Sequence, residues 1–170
     1  MPETVRMTVT ESLRQWGLSL ALLPLVIYLV VAYAAGWYTV LDTASLIVHE
    51  AGHFFFRPFG WTLYLLGGSL YQLILPSLFV WTFLRSEYRP GVQVSCAWLG
   101  QNALNVATYI GDAQERALPL ITGDVETHDW WQLLGAAGLL AYDDLIAGGV
   151  VVFAILCFVA ALTVPRFLYT

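Results

Sequence analysis

Hydrophobic positions in this chain come in long unbroken runs rather than in alternation. Four runs reach the length of a membrane-spanning helix, about 20 mainly apolar residues at 1.5 Å each. They are residues 16–38, 61–84, 92–111 and 145–165. Trp16 and Trp37 frame the first run, and Trp61 and Trp81 lie near the ends of the second. Each pair stands about 30 Å apart along a helix, close to the thickness of the hydrocarbon layer, and Trp favours both interfaces. Pro24 and Pro76 fall inside these runs, where membrane helices tolerate a kink. Between the first two runs, "DTASLIVHEAGHFFF" (42–56) is apolar but short for a span, and Arg57-Pro58 and Gly60 close it. It predicts a re-entrant or partly buried helix. Residues 112–129 form a polar connection, and "WWQLLGAAGLLAYDDL" after it predicts a short interfacial helix. Asp129 with Gln132 has the spacing of a capping box at its start.

The expected fold is therefore all-α and polytopic. A single membrane-embedded domain covers 1–170, with a polar N-terminal segment at 1–15. It has about four transmembrane helices, a shorter, partly buried HEAGH helix and an interfacial helix.

Composition sharpens this picture. Hydrophobic residues make up 59% of the 170 positions and charged residues 11%, whereas soluble domains are about half apolar and a quarter charged. Lipid is the expected main solvent. Net charge is −5 and no basic patch is visible, which argues against a nucleic-acid partner. Cys96 and Cys157 both sit in apolar runs and read as buried side chains. Arginine placement sets the orientation. With a cytoplasmic N-terminus and a non-crossing HEAGH segment, Arg6, Arg14, Arg85, Arg89 and Arg166 lie inside, and Arg57 and Arg116 outside. That arrangement obeys the positive-inside bias. It predicts a multi-pass protein of a bacterial-type inner or plasma membrane.

Candidate chemistry centres on "HEAGH", 49–53. Residues four apart share a helical face, so His49 and His53 can address one metal. Neutral imidazole suits Zn2+. Glu50 is displaced around the helix, beside the metal, where it can act as the base that takes a proton from a zinc-activated water. For this composition the motif arises by chance about two times in a thousand. Ionisable groups in an apolar segment also usually mark function. A catalytic zinc typically needs a third protein ligand. Asp42 lies about 10 Å from His49 along the axis, too far to serve. His128 is placed first, Asp112 second and Asp129 third; Asp112 also fits a role orienting a ligating histidine, and Asp129 that of a helix cap. Trp98, Gln101, Asn102, Asn105, Tyr109 and Asp112 form a polar stripe on the 92–111 helix. Such a stripe faces protein or water, as part of the site or as interhelical hydrogen-bonding glue.

"HEAGH" on an apolar helix, followed by "GGSL" at 67–70, resembles the site-2 protease class of intramembrane zinc metalloproteases. The resemblance implies zinc held by His49 and His53, Glu50 as catalytic base, and a third ligand that is an aspartate on a later helix. The family's Asn-Pro…Asp-Gly pattern is missing; the nearest stretch is "NALNVATYIGDA", with Asn102, Asn105 and Asp112. About a quarter of the chain carries the likeness.

The expected function is a membrane-embedded zinc-dependent hydrolase, a peptidase acting on a membrane-associated or transmembrane polypeptide. Two alternatives remain open: a zinc hydrolase of lipid amide or ester bonds, and a non-catalytic metal-binding membrane scaffold. In the peptidase reading Gly67-Gly68 supplies a flexible or exposed-backbone segment.

Overall fold

The computed structural model describes residues 9–168, with side chains from 15 to 164. Most of the expected polar N-terminal segment, residues 1–8 with Arg6, lies outside the described residues. Six α-helices follow in order: α1 Val9–Ala34, α2 Val40–Phe56, α3 Trp61–Arg85, α4 Arg89–Gly111, α5 Asp129–Ala137 and α6 Asp143–Leu168. Among the described residues there is no strand. Among the described residues, three segments are long and apolar enough to cross a membrane: Gln15–Ala34, Trp61–Arg85 and Leu140–Val164. The remaining expected run, 92–111, forms α4, of similar length but interrupted by the polar stripe.

That stripe explains why α4 is central. It packs against α1, α2, α3 and α6, most extensively against α6. Gly100 allows the close approach, since a Cβ there would stand 2.7 Å from the Phe158 ring. Val26, Leu29, Ala103, Leu104, Ala154 and Phe158 form the apolar core where α1, α4 and α6 meet. Buried polar groups accompany it. Gln93 donates to Ser19 Oγ (2.8 Å) and to the Ala161 carbonyl (2.9 Å), tying the same three helices together. The outer faces are the reverse: Ile27, Leu78, Trp81, Val152 and Leu156 are exposed while Gln72, Gln93 and Asn102 are buried. A water-soluble protein sorts its side chains the other way.

α2 matches its expected limits closely. Asp42 accepts from the N–H and Oγ of Thr39, both at 2.7 Å, and so caps its first turn. Arg57–Phe59 make one tight turn, and Gly60 at φ +95° redirects the chain into α3. α2 lies along the first half of α3 and the second half of α4. Its partners there are Tyr64, Gln72, Gln101 and Asn105. Gly52 and Gly67 form the crossing point: a Cβ on Gly52 would sit 2.8 Å from both the Gly67 carbonyl carbon and Tyr71 Cβ. The expectation of a flexible or exposed Gly67-Gly68 segment is corrected here. Both glycines are buried inside α3, where their missing side chains admit α2.

The interfacial helix is shorter than expected. α5 stops at Gly138, φ +70°, and a tight turn at Leu140–Tyr142 leads into α6. Its cap also differs from the expectation. His128, not Asp129, is the capping residue, its Nδ1 accepting from the Trp131 N–H at 3.2 Å. The shift by one residue frees the Asp129 side chain.

Candidate metal centre

Helix α2 presents His49 and His53 on one face, their Nε2 atoms 3.0 Å apart. Asp129, at the start of α5, reaches both: its Oδ2 lies 3.1 Å from His49 Nε2 and 3.2 Å from His53 Nε2. α5 is seated for this by Trp130, whose indole N–H donates to Ser69 Oγ on α3 at 3.0 Å. His49 Nδ1 meets Gln72 Oε1 at 2.9 Å, and His53 Nδ1 meets the Tyr64 carbonyl at 2.7 Å. Both partners are acceptors, so both Nδ1 atoms carry the hydrogen and both Nε2 atoms carry lone pairs. Two imidazole lone pairs and a carboxylate oxygen thus converge within 3.2 Å. Left alone they repel; a shared cation satisfies all three. A tetrahedral zinc shell with bonds of about 2.0–2.1 Å places neighbouring ligand atoms about 3.3 Å apart.

His49, Glu50 and His53 form a group able to hold a metal ion, with candidate atoms all within 4.8 Å of one another. His49 is buried against Gly68, where a Cβ would stand 2.6 Å from the imidazole Cδ2. Glu50 is exposed. It points into a cavity of about 640 Å³, lined also by His49, His53, Gln72, Asn105, Tyr109 and Asp129. Asp42 lines the same cavity at the far end of α2, away from the histidine pair as expected.

The three candidates for the third position separate clearly. His128, placed first from sequence, is fully buried and turned from the pair. With Nδ1 spent on the α5 cap, its Nε2 faces Asp112 Oδ2 at 3.3 Å and makes no other polar contact. Asp112 is committed to the connection after α4, accepting from the N–H groups of Ala117 (2.8 Å) and Leu118 (3.1 Å). Asp129 alone of the three stands at the histidines. Burial would raise its carboxyl pKa, but His49 and His53, once protonated on Nε2, outweigh this and hold it below the ordinary value. The His128 pKa is also lowered, here because burial outweighs the opposing pull of Asp112.

The polar stripe of α4 serves the site and the packing together. Gln101 accepts from Ser45 Oγ at 3.1 Å, and Asn105 accepts from Gln72 Nε2 at 2.8 Å. The Tyr109 hydroxyl accepts from the Asp129 N–H at 3.0 Å and donates to Asp129 Oδ2 at 3.3 Å. Gln72 was missed from sequence. It is the one amide in the apolar stretch 61–85, and that isolation was the signal available.

Comparison with protein-family models, with curated proteins and with solved structures finds no match.

Proposed function

We propose that the chain is a multi-pass membrane protein and a zinc-dependent hydrolase, of the peptidase class, with its site set a short way into the membrane. The observation that carries this reading is the convergence of His49 Nε2, His53 Nε2 and Asp129 Oδ2 within 3.2 Å, beside a carboxylate that opens onto a cavity. His49, His53 and Asp129 would hold the zinc. The metal would supply a Lewis acid that polarises a carbonyl and acidifies a water. Glu50, beside the ligand atoms and open to the cavity, would serve as the base that accepts a proton from the attacking water and the acid that returns it to the leaving amine. Gln72 and the Tyr64 carbonyl hold the imidazoles in the orientation the metal needs. Tyr109 steadies Asp129 through both its backbone and its carboxylate.

Depth supports access for water. His53 meets Tyr64, early in α3, and Tyr109 lies near the end of α4. Gly68, against His49, is about 10 Å from the α3 start. α2 touches only this end of the bundle, which favours a re-entrant helix beside four spans over a fifth crossing. A polypeptide substrate is favoured by the cavity's charge. Among the described residues Asp42, Glu50 and Asp129 line it, and no arginine does. Apart from the proposed metal itself, a phosphate-bearing lipid headgroup would meet carboxylates without a compensating side-chain cation.

The test is turnover in lipid. Purified protein in vesicles is given a fluorogenic helical membrane peptide, and in parallel labelled lipid amides and esters. Peptide cleavage that a chelator abolishes and zinc restores is expected. Lipid cleavage alone would move the site to the lipid-hydrolase reading, and zinc binding without any turnover would favour a scaffold.

A further inference from the structure

A chain of hydrogen bonds leads from Asp42 to His49 without a gap. Asn105 Nδ2 donates to Asp42 Oδ1 at 3.1 Å. Gln72 Nε2 donates to Asn105 Oδ1 at 2.8 Å. His49 Nδ1 meets Gln72 Oε1 at 2.9 Å. Each interior member is a carboxamide, which offers donors at one end and an acceptor at the other and can be turned over. Only the terminal group has a fixed polarity. An ionised carboxylate accepts and never donates.

We infer that Asp42 is a positioning residue that sets the tautomer of His49 through Asn105 and Gln72. The logic is stepwise. Asp42 requires the NH2 of Asn105, which leaves the Asn105 oxygen toward Gln72. That oxygen requires the NH2 of Gln72, which leaves the Gln72 oxygen toward His49. The Gln72 oxygen requires a hydrogen on His49 Nδ1, which leaves the lone pair on Nε2, the atom facing His53 and Asp129. Reversing any amide puts two donors or two acceptors face to face in a buried place. Gln101 corroborates the polarity at Asp42: its Nε2 donates to Asp42 Oδ1 at 3.3 Å while its Oε1 accepts from Ser45 Oγ. Among the described residues every partner of Asp42 is a neutral donor, from Thr39, Gln101 and Asn105. Helix capping uses Oδ2, and the relay uses Oδ1.

The consequence for metal affinity rests on the proposed zinc site, whereas the tautomer itself does not. The test therefore reads both. The chain has 3 histidines, few enough for 15N-imidazole NMR on protein in nanodiscs. In metal-free protein at pH about 9, well above the ordinary imidazole pKa, His49 and His53 should appear as Nδ1–H forms. His128, whose Nδ1 accepts from Trp131 N–H, should appear as the Nε2–H form and serves as the internal contrast. An Nε2–H signal for His49 in the unaltered protein overturns the inference directly, whether or not any variant folds. Asp42→Asn removes the fixed polarity and should mix the His49 forms and weaken zinc binding about 10-fold or more, the scale of partners that orient ligating histidines. Thr39→Ala loosens the same cap but keeps the carboxylate, so it should lower thermal stability and leave the His49 form unchanged. The double exchange Asp42→Asn with Asn105→Asp moves the acceptor one step along the relay and should restore both the Nδ1–H form and zinc affinity. A His49 form that ignores Asp42→Asn, or a double exchange that rescues nothing, sinks the relay. Correct tautomers in a protein that binds no zinc would instead remove the metal reading and leave the relay standing.

Discussion

Replacing Gly52 by alanine adds one methyl group at the place where α2 and α3 touch backbone to backbone. The new Cβ would lie 2.8 Å from the Gly67 carbonyl carbon and 2.8 Å from Tyr71 Cβ, against an ordinary carbon–carbon contact of about 3.5–4.0 Å. Neither neighbour can swing away, since one is backbone and the other is fixed to it. α2 must therefore withdraw by about 1 Å. Overpacking of this kind costs about 1–3 kcal/mol, which lowers the Tm by about 2–12 °C in a chain of this size. Helix α2 carries His49, Glu50 and His53, while Asp129 sits on another element, so the withdrawal opens the proposed ligand set. A misplacement of about 1 Å can cost about 100-fold in turnover. The assay is thermal unfolding in nanodiscs together with zinc affinity. Gly148→Ala is the matched control, because nothing lies within 4 Å of its added Cβ; it should be neutral or slightly stabilising. If Gly52→Ala matches Gly148→Ala in stability and in zinc affinity, the close crossing of α2 and α3 is not what seats the histidines.

Glu50→Gln should retain zinc and lose hydrolysis, because the side chain lies beside the ligand atoms and supplies a base; stoichiometric zinc with full turnover would remove it from the mechanism. Single cysteines introduced by Pro90→Cys and Val125→Cys, after Cys96 and Cys157 are replaced by alanine, should label from opposite faces of sealed vesicles, position 125 from the non-cytoplasmic side. Labelling of both from one face would refute four spans with a re-entrant α2.

Much of this arrangement is legible in the sequence because long apolar helices advertise themselves. The runs at 16–38, 61–84 and 145–165 are long and apolar, and the HEAGH segment is bounded by Arg57-Pro58 and Gly60. The polar stripe of α4 was readable as a buried face, since such groups cannot face hydrocarbon. The third position at the histidines was harder. His128 and Asp129 are adjacent, and which one caps α5 depends on a boundary that a sequence defines only to within a residue or two. The register that makes His128 the cap, with its Nε2 turned to Asp112, is also what delivers Asp129 to the pair. Gln72 escaped notice because one amide in an apolar run reveals its partner only when another helix is laid against it.

The most direct test of the proposed centre is zinc content, by elemental analysis of protein purified in lipid, across one set of variants. The account predicts about one zinc per chain, lost sharply in His49→Ala, His53→Ala and Asp129→Ala. It predicts zinc largely retained in His128→Asn, which keeps an acceptor for the α5 cap. Full zinc in Asp129→Ala together with its loss in His128→Asn would contradict the account and transfer the third ligand to His128.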